Sequence, residues 1–147
     1  MPDCKYFSVT CRFWRAPFDL LTEVHEMKYL LLIYDEEKRF ETMTEAEGRQ
    51  LMGDYGQFTQ EIQASGHYKT SARLQPTTLA TSVRIRDGKR VVTDGPFAET
   101  REQLGGYYLI EAKDLDEAIG IAEKIPSARR GTVEVRPQME MGAPAAA

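Results

Sequence analysis

Residues 29–34, YLLLIY, limit the fold more than any other stretch of the chain. Six consecutive apolar side chains of strand length place Tyr29, Leu31 and Ile33 on one face and Leu30, Leu32 and Tyr34 on the other. A strand that is apolar on both sides belongs inside a sheet and needs cover above and below. GYYLI, residues 106–110, repeats the demand. The chain is therefore expected to build a sheet with two strands of this kind, and something must cover each of their faces.

The remaining patterns supply one layer of cover. Thr44 and Glu47 have the spacing of a capping box and open a predicted helix over 44–65. Its Leu51, Tyr55, Phe58 and Ile62 form one apolar stripe, and Gly66 stops it. A strand is expected over 67–74. Asp87-Gly88 predicts a hairpin joining strands over 80–86 and 89–93. After the strand at 106–112, Asp114 and Glu117 cap a second predicted helix, with Leu115, Ala118, Ile119, Ala122 and Ile125 facing the core. Pro126 ends it, and 132–136 is the last strand.

With the hairpin set aside, the order is strand–helix–strand–strand–helix–strand, which predicts an α+β fold of ferredoxin-like (βαββαβ) type with an inserted β-hairpin. Both helices then lie on one face of an antiparallel sheet. The other face would leave an apolar patch in water, and a second copy of the chain is the simplest cover. A homodimer is expected.

Composition narrows the function. The 147 residues form one domain of ordinary composition, 41% apolar and 29% charged. A net charge of −4 offers no support for binding nucleic acid. No apolar run is long enough for a membrane span or a secretory signal, so no membrane association and a cytoplasmic location are expected. Cys4 and Cys11 are the only cysteines, and no metal-ligand spacing occurs. Phosphate-binding loops, dinucleotide glycine patterns and nucleophile elbows are absent from the sequence, which predicts a cofactor-free protein.

Regular patterning begins at Met27. Thr22-Glu23-Val24 can be encoded with a GGAGGT ribosome-binding sequence at a suitable distance upstream of Met27. Translation is expected to start there, leaving 1–26 as a gene-start artefact. The rival is a docking arm anchored by Phe13, Trp14, Phe18 and Leu20. Residues 27–137 form the domain, and 138–147 a loose tail.

Three stretches, MKYLLLIY, TDGPFAETREQLGGYYLIEAKDLDEA and GTVEVRP, resemble the YCII-related domain family, and in particular its DGPF branch, named for the motif at 94–97. The resemblance spans about residues 27–137. It implies a dimeric α+β barrel of largely unassigned role, with genes often beside those of alternative sigma factors. In other branches a His on the first helix pairs with an Asp as the proposed catalytic dyad. Here the predicted helix has no His, and Tyr55 stands near that position.

The connection VVTDGPFAETREQLGG holds the candidate site. Pro96 has no N–H to donate, so strand pairing stops there, and it biases Gly95 toward an extended backbone. Asp94 is thereby presented at a strand end, as a general base or ligand acceptor, or else as a turn-shaping acceptor of backbone N–H groups. Phe97 reads as a core plug or a substrate contact, Glu99 as a ligand contact or a solvated charge, and Arg101 as a solvated charge in the body of the connection. Gly105-Gly106 is expected to let the connection bend over a pocket. His67, the only imidazole in the domain, is a candidate acid or base beside its structural reading. Arg84 shares a hairpin face with Arg86 and could hold an anion or simply protect an edge.

Two functions fit. One is a small-molecule site, of cofactor-free lyase or isomerase type, with Asp94 as acceptor or base and Tyr55, Gly95, Pro96, Phe97, Glu99 and Arg84 around the ligand. The other is a non-catalytic dimer that binds a regulatory partner linked to a sigma factor. Convergence of Asp94, His67 and Tyr55 on one cavity would favour the first.

Overall fold

The computed structural model describes residues 27–139. The expectations for residues 1–26, and for all but the first two residues of the tail, lie outside that range. The fold is α+β: a four-stranded antiparallel sheet, helices, and a separate β-hairpin.

The strands are β1 (Met27–Asp35), β2 (Tyr68–Arg73), β3 (Thr81–Arg86), β4 (Lys89–Asp94), β5 (Gln103–Ala112) and β6 (Thr132–Pro137). Sheet order is β2-β5-β1-β6, so the two doubly apolar strands are the two inner ones, as their composition requires. In the β1–β5 register Leu31 lies opposite Tyr108 and Leu32 opposite Tyr107. A bulge between Ile33 and Tyr34 then brings Tyr34 opposite Leu104. The hairpin pairs β3 only with β4, and its Asp87 and Gly88 both have positive φ (51° and 72°), the signature of a type I′ turn.

Helix α2 (Glu45–Ala64) starts with the complete Thr44–Glu47 capping box, and Asp114 caps α3 (Leu115–Ala122) by accepting from Glu117 N. A short helix, α1 (Lys38–Thr42), buries no residue and has no apolar periodicity to mark it in the sequence. Tyr29, Leu31 and Ile33 of β1 pack with Tyr108 and Ile110 of β5 against Phe58 and Ile62 of α2 and Ala118, Ile121 and Ala122 of α3. Leu115 and Ile119 are exposed rather than in the core. Helix α3 is three residues shorter than predicted, and its buried stripe runs through 118, 121, 122 and 125, which turns the 115/119 pair outward.

The opposite face of the sheet presents Leu30, Leu32, Tyr34, Leu104, Tyr107 and Leu109, none of which belongs to the buried cluster. They are half-buried among their own sheet neighbours, Leu32 more deeply, and form an apolar strip along the inner strands.

Two glycines are dictated by close approach. A Cβ on Gly106 would lie 2.7 Å from the Ala72 carbonyl oxygen, and one on Gly131 would lie 2.1 Å from that of Tyr34. Gly105 and Gly106 therefore sit inside β5 and are not the expected bend; Leu74 N donates to the Gly105 carbonyl at 2.8 Å. Gly131→Ala should push β6 away from the end of β1. The expected loss is about 1–3 kcal/mol, read as a lower urea midpoint, and an unchanged midpoint would mean the two backbones separate freely.

Candidate functional site

The sequence around the end of β1 sends neighbouring side chains to different layers. Asp35 turns into the helical layer, whereas Tyr34 and Glu36 line a cavity on the other side.

Inside the helical layer, Asp35 (5% exposed) and Ser127 (2%) are the buried polar residues of the described core. Tyr55 Oη donates to Ser127 Oγ at 2.8 Å, and Ser127 Oγ donates to Asp35 Oδ2 at 2.9 Å. Asp35 Oδ1 accepts from Glu36 N at 2.9 Å. Every donor points toward the carboxyl group, so one hydrogen-bonded chain ties α2, the 3-10 turn Pro126–Arg129 and the end of β1 together. Burial raises the pKa of the Tyr55 phenol, and the bond to Ser127 offsets part of that rise. Burial likewise raises that of Tyr108, whose hydroxyl shares a 2.8 Å hydrogen bond with Thr59. Neither Asp35 nor Ser127 stood out in the sequence. A lone Asp ending a strand and a Ser after a Pro carry no periodic signal, and only the tertiary packing joins them to Tyr55.

The cavity beyond Tyr34 has a volume of about 600 Å³. Its charged lining comes from four segments: Glu36, Arg39 of α1, Arg101 and Glu102 of the 95–102 connection, and Arg130 after the 3-10 turn. Tyr34, Thr100 and Thr132 add hydroxyl groups. Glu36 Oε2 lies 3.7 Å from Arg39 Nε and 3.9 Å from Arg101 Nε, within ion-pair range but beyond hydrogen bonding. Gln103 holds the connection in place: its amide nitrogen donates to the Thr100 carbonyl, and its amide oxygen accepts from Glu37 N at 3.1 Å.

Asp94 ends the hairpin opposite Thr81 and is exposed. Its carboxylate makes no hydrogen bond or ion pair among the described residues, so it does not shape the turn. That work falls to Gly95, whose N–H donates to the Ala80 carbonyl at 2.7 Å and whose carbonyl accepts from Ser82 Oγ at 2.9 Å. Gly95 has φ +91°, not the extended backbone expected before proline, and this explains why a glycine stands there. Arg84 Nη2 reaches the Phe97 carbonyl at 3.4 Å. Phe97 is 80% exposed and plugs no core; Pro96 and Glu99 are exposed beside it.

His67 lies at the other end of the sheet. Its Nδ1 is 2.7 Å from Ser65 Oγ, and its Nε2 is 3.6 Å from Glu117. The backbone N–H of Lys113, bonded to Glu117, holds that carboxyl below its ordinary pKa, and His67 adds to the effect. A smaller cavity of about 240 Å³ lies beside them, bounded also by Glu111 and Lys113. Glu111 pairs with Lys28, six residues before Tyr34, a strand distance of about 20 Å. Asp94, His67 and Tyr55 therefore do not converge on one cavity. No group of three or more His, Cys, Asp or Glu side chains among the described residues is placed to hold a metal ion. No described helix is long and apolar enough to cross a membrane.

A family model described as the YCII-related domain matches residues 27–142. An uncharacterized protein of Rhizobium meliloti (strain 1021) is similar to this chain, 39% identical over 113 residues that cover 76% of this chain and 91% of that protein.

The buried phenol sets a pH test. Its folded pKa lies above its unfolded value of about 10, so the stabilisation it gives is complete below about pH 10 and is lost as pH rises through the folded value. Tyr55→Phe, lacking one hydrogen bond, should be less stable by about 1 kcal/mol at pH 8. That deficit should narrow above about pH 10, as urea unfolding at both pH values would show; a constant deficit would mean the phenol titrates as it does in water.

Proposed function

The chain belongs to the YCII-related domain family, and from that premise we propose that it is a homodimeric small-molecule-binding protein. The ligand lies in the cavity at the end of β1. One observation carries this reading: residues 100–102, the far half of the long connection that follows Asp94, line that cavity. A connection that two residues could make is longer here because its distal half forms a wall.

Asp94 belongs to the same end of the molecule. Glu37 accepts from Thr77 N at 2.9 Å and from Thr77 Oγ1 at 2.7 Å, which anchors the segment leading into the hairpin beside the end of β1. Gly95 is bonded in turn to Ala80, three residues past Thr77. An exposed carboxylate without a partner among the described residues, on a backbone held at Gly95, is suited to accept a proton or a ligand donor. The strand order, with the hairpin set apart, supports the ferredoxin-like type.

The apolar strip on the open sheet face supports the homodimer, since a second copy would cover Leu30, Leu32, Tyr107 and Leu109. Tyr34 and Thr132, which face each other across β1 and β6, belong both to that side of the sheet and to the cavity wall. A dimer built on this face therefore brings the partner close to the ligand.

Sedimentation of the full chain at micromolar concentration should give twice the chain mass, and Leu109→Lys should give the single mass. A wild-type monomer would overturn the dimer. In amide NMR spectra, binders from a library of small polar fragments should shift residues 100–102 and 130–132 together. If no fragment moves them, the cavity reading falls. Asp94→Asn should change stability by less than about 0.5 kcal/mol. Fragments whose shifts extend to residues 94–97 should bind it about tenfold more weakly; equal affinity would remove Asp94 from the site.

A further inference from the structure

The cavity at the end of β1 has a charge pattern that says more about its ligand. Arg39, Arg101 and Arg130 reach it from three different segments, whereas the carboxylates around it are Glu36 and Glu102. The balance is three positive groups against two negative, on a chain whose overall charge is −4. Each guanidinium presents five N–H donors. Among the described residues, only Arg39 uses one for a hydrogen bond, from Nη1 to the Arg130 carbonyl at 3.1 Å.

The two ion pairs with Glu36, at 3.7 and 3.9 Å, are both too long to be hydrogen bonds. One carboxylate thus serves two guanidinium groups loosely, and the Arg130 guanidinium has no partner among the described residues. Like charges gathered in this way repel one another, and a solvated face would space them apart. Oxygen anions match such an array, because a planar guanidinium binds carboxylate or phosphate through two parallel N–H groups. The volume of about 600 Å³ suits a small molecule.

Resting on the cavity reading above, we propose that this site takes a small anionic ligand, bound through carboxylate or phosphate oxygens by Arg101 and Arg130. Glu36 is the internal carboxylate with which the ligand competes for Arg39 and Arg101. The hydroxyl groups of Tyr34 and Thr132 complete the polar lining. Specificity for the anion comes from the arginines, while any chemistry lies with the part of the ligand directed elsewhere.

The test uses the full chain and three probes at constant ionic strength: inorganic phosphate, succinate and the neutral succinamide. Phosphate or succinate should shift the amides of residues 100–102 and 130–132 saturably, and succinamide should bind at least about tenfold more weakly. Arg130→Gln and Arg101→Gln, both at exposed positions, should each weaken the better anion about tenfold, and Arg130→Lys should restore it only in part. Glu36→Gln should tighten it severalfold by removing the competitor. The better of phosphate and succinate identifies the headgroup. Equal shifts with sodium chloride, or insensitivity to both arginine substitutions, would overturn the proposal. If neutral fragments bind at these residues and the anions do not, the anionic class is wrong while the small-molecule reading stands. If neither kind binds, both fall.

Discussion

A carboxyl group at the end of an inner strand, sealed from water, organises the end of the molecule that bears the cavity of about 600 Å³. Asp35 is buried with no ion-pair partner among the described residues, and its oxygens are satisfied by the Ser127 hydroxyl and the Glu36 amide. Leaving such a group unpaired would cost several times what one hydrogen bond normally contributes. The serine must therefore stand where it does, and Tyr55 must reach it. Helix α2, the turn at 126–129 and the end of β1 are held in one arrangement by two hydrogen bonds, Tyr55 to Ser127 and Ser127 to Asp35. The phenol of the helix thus reaches the carboxyl group through the serine hydroxyl.

The same strand end explains how one sheet serves two environments. Alternation along β1 gives Tyr29, Leu31, Ile33 and Asp35 to the helices, and Leu30, Leu32 and Tyr34 to the open side. Glu36 then leaves the strand toward the cavity, and Glu37 ties it to the hairpin anchor through Thr77. Position 35 is structural and positions 36 and 37 face outward. A shift of one residue in this register would bury Glu36 and expose Asp35, so the core packing of β1 also fixes which carboxylate meets the arginines.

Much of this was legible in the sequence because it rests on periodicity or on turn chemistry. The strand YLLLIY, the Thr44–Glu47 box, the Asp87-Gly88 hairpin and the Asp114 cap are local signals, and each local signal has its element in the structure. What could not be read depends on distance. Asp35, Ser127, Arg39 and Arg130 are ordinary surface residue types in ordinary contexts, and only folding brings Asp35 to Ser127, 92 positions away, and Arg39 to Arg130, 91 positions away. Arg101 looked like a solvated charge because a loop arginine has no pattern to distinguish it. The glycine pair 105–106 misled for the opposite reason. Its sequence suggests freedom, whereas the Ala72 carbonyl at Gly106 shows that the glycine is there for lack of a Cβ.

The 95–102 connection can now be divided by what restrains it. At its start the left-handed Gly95 is bonded on both sides to the hairpin root, through Ala80 and Ser82. At its end Gln103 bonds the Thr100 carbonyl and the Glu37 amide, so the segment approaching β5 is fastened to the strand end that bears Glu36. Between these fixed points Pro96, Phe97 and Glu99 remain exposed. Anchoring at both ends is what a wall requires and a hinge does not, and residues 100–102 stand against the cavity. Phe97 lies in the middle part with its carbonyl reached by Arg84 Nη2 and its ring in water, so the hairpin restrains its backbone and leaves the side chain exposed.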